Sequence, residues 1–302
     1  MEDATVDASE FLASRFEQHR PHLKAVAYRM LGSLAEADDA VQEAWLRLSR
    51  ADSGTIDNLG GWLTTAVGRV CLDMLRARTA RHEDSLDQHL PDPIVSREDG
   101  GDPEQQALIA DSVGLALLVV LESLSPAERL AFVLHDIFAV PFEQIAPIVD
   151  RTPVAAKKLA SRARQRLRGR VPPADPDRNR QRQVADAFLT AARGGDYDAL
   201  LALLDPDVVM RIDIGTMTEG GMRTINGAAA VARQAPNFQR FSTSYVLEPV
   251  TVNGAVGFLG IQNRRPRSVV SFTITNGKIA AIDILSDPDR IAQLDITTMP
   301  GG

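Results

Sequence analysis

Apolar residues recur at three- and four-residue spacing over residues 11–81, the period of helices that bury one face and solvate the other. Over 35–48 the inward positions are Ala37, Val41, Ala44, Trp45 and Leu48, and the opposite face is acidic. A break rich in Gly, Asp and Asn at 52–61 precedes a third helix over 62–78. Its inward stripe is Leu63, Ala66, Val67, Val70, Met74 and Leu75. Residues 82–104 carry Pro91, Pro93, Gly100, Gly101 and Pro103, so this stretch reads as a linker without a regular element.

Helix resumes over 103–124. Ser125-Pro126-Ala127-Glu128 then places Ser at an N-cap, Pro at the first helical position and Glu three residues on. A break at 139–141 opens a short helix over 142–149, which Pro147 is expected to bend. Asp150 and Arg151 form a turn, and Thr152 with Pro153 starts a new helix, so the pair reads as a helix-turn-helix. In that last helix Val154, Ala155, Leu159, Ala163 and Leu167 are expected to face inward. Lys157, Lys158, Ser161, Arg162, Gln165 and Arg168 then face out.

Past a Pro-rich linker at 171–179 the pattern changes. Helices are expected over 180–193, 196–204 and 227–234, and strands over 207–213, 243–252, 255–262, 267–275 and 278–285. Asn253-Gly254 and Asn276-Gly277 separate strands as tight hairpin turns, because both residue types accept positive φ. Helices followed by an antiparallel meander imply an α+β domain with a curved sheet and a pocket.

The chain has 302 residues, 44% hydrophobic and 24% charged, enough for two or three globular cores. Its longest nearly unbroken apolar run, 113–121, is short of the ~20 residues a membrane-spanning helix needs, and the acidic start lacks a secretion-signal pattern. With a single cysteine, Cys71, the sequence fits a reducing, cytoplasmic location and offers no Cys-rich metal site. The net charge of -7 hides an asymmetry: residues 151–182 hold eleven Arg and Lys against Asp175 and Asp177. One basic, helix-patterned segment in an acidic chain suits contact with nucleic acid at a defined place, although a solvated charged helix has the same composition.

Arg and Lys bond guanine edges, Gln an adenine edge, and any basic group a phosphate, so the outward face of the last helix suits a major groove. Asp38, Asp39, Gln42 and Glu43 lie on neighbouring turns beside Trp45; acidic groups repel DNA, so this face suits a protein partner. Arg69, Arg76 and Arg78, near the polar loop that holds Asn58, suit unpaired DNA with a flipped base.

The ordered stretches DDAVQEAWLRL, GGWLTTAVGRVCLDMLRAR and SLSPAERLAFVLHDIFAVPFEQIAPIVDRTPVAAKKLASRARQRLRG resemble regions two and four of an extracytoplasmic-function (ECF) sigma factor. Residues 180–290 resemble the SnoaL-like, NTF2-type domain fused to the sigma factor J-like group. The resemblance implies a multidomain chain: a region 2 helical bundle (8–81), a linker (82–104), a region 4 helix-turn-helix (105–170), a linker (171–179), an α+β SnoaL-like cone (180–290) and a tail (291–302).

It also implies partners. Asp38, Asp39, Gln42, Glu43 and Trp45 fall on the stretch that docks on the β′ clamp helices of core RNA polymerase, with the β flap as a further contact. Asn58, Arg69, Asp73, Arg76 and Arg78 fall on the part that opens and reads the minus-ten element, Asp73 orienting arginines. Thr152, Lys157, Lys158, Ser161, Arg162 and Gln165 fall on the helix that reads the minus-thirty-five element. His89-Leu-Pro-Asp-Pro93 resembles the group's Leu-Pro-Glu-Pro signature, and Ser286-Asp-Pro288-Asp-Arg290 its Asn-Pro-Asp-Lys motif, placing Asp287, Pro288 and Asp289 in regulatory contacts. Asp213 and Gly215 are regulatory contacts too, but where the group carries Asp-Gly-Gly-Gly this chain has Asp213-Ile-Gly215-Thr, and the β-branched replacements are expected to weaken or reshape a close backbone contact with the sigma regions.

NTF2-type domains also include cyclases and isomerases, but all five histidines precede this one, leaving Asp213 or Glu219 as a lone base. The expectation is a non-enzymatic sigma factor without cofactor or metal, its tail standing in for a separate anti-sigma protein, with a small-molecule ligand for the SnoaL-like pocket left open. A one-component helix-turn-helix regulator with a ligand-binding domain is the alternative, and a SnoaL-like enzyme the third reading.

Overall fold

The computed structural model describes residues 2–51, 56–81, 89–96, 114–169, 175–215, 221–294 and 296. The chain divides into two compact units, one of residues 1–83, 106–111 and 121–168, the other of 84–105, 112–120 and 169–302. In chain order the elements begin with α1 (Glu2–Leu31), α2 (Leu34–Arg50), α3 (Leu59–Arg81), β1 (Val95–Ser96), α4 (Leu115–Leu121), α5 (Pro126–Phe132), α6 (Phe142–Ile145) and α7 (Pro153–Leu167).

In the first unit α1, α2 and α3 form a bundle. Gly32, at φ 75°, reverses the chain after α1, and the Ser33 hydroxyl accepts from the Glu36 amide to start α2. Ala37, Val41, Ala44 and Leu48 face the core as expected, joined by Ala40, whereas Trp45 is half-buried and tilts against Phe16 at 5.0 Å. Helix α3 extends beyond both expected ends and is buried on more than one face: Gly68, Cys71 and Leu72 join Leu63, Val67, Val70 and Leu75. The second buried face exists because α5 packs there; a Cβ on Gly68 would lie 3.3 Å from Leu134.

Helix α5 starts on the expected capping box, with Glu128 accepting from the Ser125 amide at 3.2 Å. It continues into a π-helical turn, Val133–Ile137, after which the Phe138 ring lies against the Arg29 guanidinium (5.0 Å) and the His22 ring (5.2 Å). Arg29 and Arg129 are both buried. The Arg129 Nε donates to the Arg29 carbonyl at 3.2 Å, and burial pushes its guanidinium down to about 10, still charged at neutral pH. The expected helix over 142–149 is α only to Ile145, and its remainder is a turn containing Pro147.

The second unit continues with α8 (Arg178–Gly194), α9 (Tyr197–Leu203), β2 (Leu204–Asp213), β3 (Met222–Asn226), α10 (Ala228–Ala232), α11 (Ala235–Ser244), β4 (Val246–Val252), β5 (Ala255–Gln262), β6 (Arg265–Thr275), β7 (Lys278–Leu285) and α12 (Pro288–Gln293). The seven strands run in the order β1-β4-β5-β6-β7-β2-β3, antiparallel except for β2 beside β7. Asn253-Gly254 and Asn276-Gly277 take positive φ as expected; a third hairpin turns at Asn263-Arg264, also at positive φ and without glycine. Register shifts in β2–β7, β5–β6 and β6–β7 bend the sheet around a core built on Phe188, Met210, Phe258, Phe272 and Ile282. The opposite face carries a smaller cluster of Val250, Val252, Leu259, Val269 and Leu285, joined by Val95 and Ile291.

Further expectations are corrected here. The strand over 243–252 begins only at Val246, because residues before it form α11, whose Phe238 and Phe241 face the sheet. Strand β3 was not signalled by the sequence, and neither was β1, which lies inside the 82–104 linker. Asp175, in the second linker, is also tied down: its amide donates to the Ile274 carbonyl at 2.8 Å and its carboxylate accepts from the Gly277 amide at 2.9 Å.

Candidate nucleic-acid interface and linker clasp

Helix α7 is held at its start by Thr152, whose hydroxyl accepts from the Ala155 amide at 3.3 Å, and approached through Asp150 at φ 54°. Its buried stripe is Ala156, Ala160, Ala163 and Leu167; Leu159 and Ala155 are half-buried, and Val154 is 67% exposed rather than inward. The shift follows from small residues: three alanines let α7 approach α5 and α6 closely, rotating the larger Val154 out. Thr152, Lys157, Lys158, Ser161, Arg162 and Gln165 are all exposed. Arg164 and Arg166 are held by Asp136 (2.9 Å) and Glu128 (2.7 Å) respectively.

On α2, Asp39, Gln42 and Leu46 are exposed one turn apart. Asp38 pairs with Lys24 at 2.9 Å and Glu43 with Arg47 at 3.0 Å, which restrains those two carboxylates. On α3 the expected residues divide. Asn58 caps the helix by accepting from the Gly61 amide at 3.0 Å, and Arg78 is bonded to Glu36, joining α3 to α2. Arg69 donates to the Pro147 carbonyl at 2.9 Å, while Asp73 and Arg76 are exposed.

The three sequence signatures of the second unit meet at one point. Asp213, fully buried, accepts from the Leu90 amide at 2.7 Å, the Gly215 amide at 3.0 Å and Arg290 Nη1 at 2.6 Å. The other arm of Arg290 donates to the Leu90 carbonyl at 2.5 Å and pairs with Asp92 at 2.6 Å. Asp287 starts α12 by accepting from the amides of Asp289 and Arg290, which aims the Arg290 side chain. Pro288 takes the first turn of α12, where its missing amide hydrogen costs nothing. Gly215, at φ 63°, leaves the space that the Asp287 carboxylate fills.

From this clasp the linker runs along the sheet: the Ile94 amide donates to Asn253 Oδ1 at 3.0 Å, and Ser96 meets Thr251 at 2.9 Å. Burying Leu90, Ile94 and Val95 stabilises by about 1.5–3 kcal/mol each. Ordering a residue costs about 1–2 kcal/mol, so apolar burial alone does not hold residues 90–96 and the polar clasp decides their docking. Arg290 and Asp92 were the members of this site given no role from the sequence; the signal that could have found them was their place inside the two quoted motifs.

Arg211 and Asp283 form a second buried pair at 2.7 Å on the same sheet face. The second carboxylate oxygen of Asp283 has no hydrogen-bond partner, and burial raises its carboxyl above the ordinary value, with Arg211 opposing. Across the sheet, the helix-covered face holds a cavity lined by aromatic and aliphatic side chains with the Ser242 hydroxyl. Asp213 and Asp283 point away from that cavity, being on the alternate face of their strands, and Glu219 lies outside the described residues. Among the described residues no group of three potential metal ligands comes together, and no helix is long and apolar enough to cross a membrane.

Comparison with known proteins agrees with this division. The family Sigma-70 region 2 matches residues 15–81, and Sigma-70, region 4 matches 114–167. ECF RNA polymerase sigma factor SigJ of Mycobacterium tuberculosis is 36% identical over 290 residues, covering 92% of each chain. The probable ECF RNA polymerase sigma factor SigI of the same species is 35% identical, covering 94% of this chain and 96% of its own. The crystal structure of M. tuberculosis SigJ superposes with a TM-score of 0.74 at 33% identity, covering 94% of this chain and all of the other.

Proposed function

Because this chain belongs to the ECF RNA polymerase sigma factors, we propose that it acts in the cytoplasm by docking on core RNA polymerase through α2, opening the minus-ten element with α3 and reading the minus-thirty-five element with α7. The observation that carries the reading is the outward row of Thr152, Lys157, Lys158, Ser161, Arg162 and Gln165 behind a helix-turn. Asp39 and Gln42, with Leu46 beside them, supply the polymerase contact on the opposite side of the charge balance, flanked by the paired Asp38 and Glu43 and by Trp45. Of the minus-ten set, Arg69 and Arg76 touch DNA and Asp73 orients arginines, while Asn58 and Arg78 position α3.

The domains follow as region 2 (8–81), region 4 (105–170) and the SnoaL-like domain (180–290), this last non-catalytic and regulatory. Support for regulation is the clasp of Asp213, Gly215, Asp287 and Arg290 on Leu90 and Asp92: the segment it grips is the tether between regions 2 and 4, so docking or release changes how far the two DNA-reading modules can separate. A small molecule in the aromatic cavity is the corresponding input.

Promoter-specific transcription with core polymerase tests the whole. Copurification with core and start-site selection are expected for the full chain, and altered activity for chains ending after residue 172 or 285. Promoter duplex binding by the isolated protein at the affinity seen with core would overturn the sigma reading in favour of a one-component regulator. Unchanged activity in both truncations would overturn the regulatory role.

A further inference from the structure

Helix α8 turns Arg182, Asp186, Thr190 and Arg193 along one face, at steps of three and four residues, into a groove of about 460 Å³. Leu189, Leu247 and Phe258 line both that groove and a cavity of about 30 Å³. The cavity therefore shares a wall with the charged groove. Its lining is apolar but for Ser242, whose hydroxyl already donates to the Gln239 carbonyl at 3.1 Å. A buried water needs two to four polar partners, which this lining does not supply, so the space favours an apolar group.

Its size admits the end of a chain rather than a whole ring system, and the remainder of such a molecule lies in the groove. There the charges are two arginines against one carboxylate. The Arg182 guanidinium sits 5.4 Å over the Phe258 ring, at the boundary between groove and cavity. Burial pushes Arg182 down from its usual range while the Asp186 charge acts against that shift, so an arriving anion would stabilise the cation further. Arg193, exposed, adds positive charge eleven residues on, about 16 Å along the helix.

We propose that this groove and cavity form the binding site for a medium-chain aliphatic carboxylate, its methyl end in the aromatic cavity and its carboxylate on Arg182, with Arg193 adding positive charge farther along the groove. This rests on the reading of the C-terminal domain as a ligand-responsive regulator and names the ligand's chemistry. The specificity comes from the combination: the cavity rewards the apolar end, and the unequal charge rejects cations and distinguishes an acid from an alcohol of the same length.

The test uses the full-length chain with octanoate, 1-octanol and octylammonium, each below its aggregation concentration, read by methyl NMR shifts at Leu189, Leu247 and Ile282. Octanoate is expected to bind at least tenfold more tightly than 1-octanol and octylammonium more weakly than either. The double variant R182Q/R193Q is expected to bring octanoate down to the 1-octanol level while leaving 1-octanol binding intact, which reports that the cavity is still folded. Equal affinity for octanoate and 1-octanol, absence of methyl shifts with octanoate, or an acid preference that survives in the double variant would each overturn the proposal. Transcription assays read the sigma function separately: a chain that selects promoters but ignores octanoate loses only this site, and one that binds octanoate but fails with core polymerase loses only the sigma reading.

Discussion

Asp287 places its carboxylate where a side chain on Gly215 would begin. The two residues are far apart in sequence, and their approach brings the start of α12 against the end of β2, so that Arg290 reaches Asp213. Gly215→Ala adds a Cβ both to a left-handed backbone and into that carboxylate. The expected loss is about 1–3 kcal/mol, read as a lower denaturant midpoint with faster proteolysis of residues 89–96.

Arg290→Met keeps the length of the side chain and removes its charge. Asp213 is then left buried without its cation, a change that costs about 3 kcal/mol at the lower end of the range for broken buried pairs, fitting an arginine that is 18% exposed. Hydrogen exchange at the Leu90 and Ile94 amides is expected to accelerate, and promoter-specific transcription to depart from that of the parent. Protection unchanged at both amides would mean that apolar burial alone docks the linker.

Asp283 ties stability to pH. Its folded-state carboxyl is raised above the ordinary 3.8, so the native form binds its proton more tightly than the unfolded chain does. The associated stability is present in full below pH 3.8 and is lost as pH rises through the folded value. Asp283→Asn removes this dependence, flattening the melting temperature against pH from about 4 upward; a parallel pH profile in the variant would contradict the assignment.

At Gly68, on the face of α3 that packs toward α5, an added Cβ would lie 3.3 Å from a Leu134 methyl, so that leucine would have to give way. Gly68→Leu is expected to cost about 1–3 kcal/mol by overpacking. Spin-label distances between α3 and α7 should lengthen or broaden, and an unchanged distance distribution would show that the contact yields without separating.

Lys158→Ala and Arg162→Ala remove charges from the exposed face of α7. Each is expected to weaken the polymerase–promoter complex and, where the lost contact is to phosphate, to lower the log-log salt slope by about 0.9. A slope and start-site preference both identical to the parent's would take α7 away from DNA.

Much of this arrangement was legible in local pattern. Helix starts at Ser125 and Thr152, the Asn-Gly hairpins and the alternation along β5 to β7 depend on interactions within a few residues, and each was found where the pattern placed it. Resemblance identified the signature stretches around Leu90, Asp213 and Asp287 and named Asp213, Gly215, Asp287, Pro288 and Asp289 as regulatory contacts; it gave no role to Arg290 or Asp92.

What the amino-acid order determined by itself was most of the helices and the strands β2 and β4 to β7, the exposed basic face of α7 and the family. Tertiary structure decided the pairings: β1 with β4, Arg69 with Pro147, and Arg290 with Asp213, Leu90 and Asp92. A two-residue strand among prolines has no period to detect, and a salt bridge across about 200 positions leaves no local trace, because its energy exists only once the sheet has brought the two ends together.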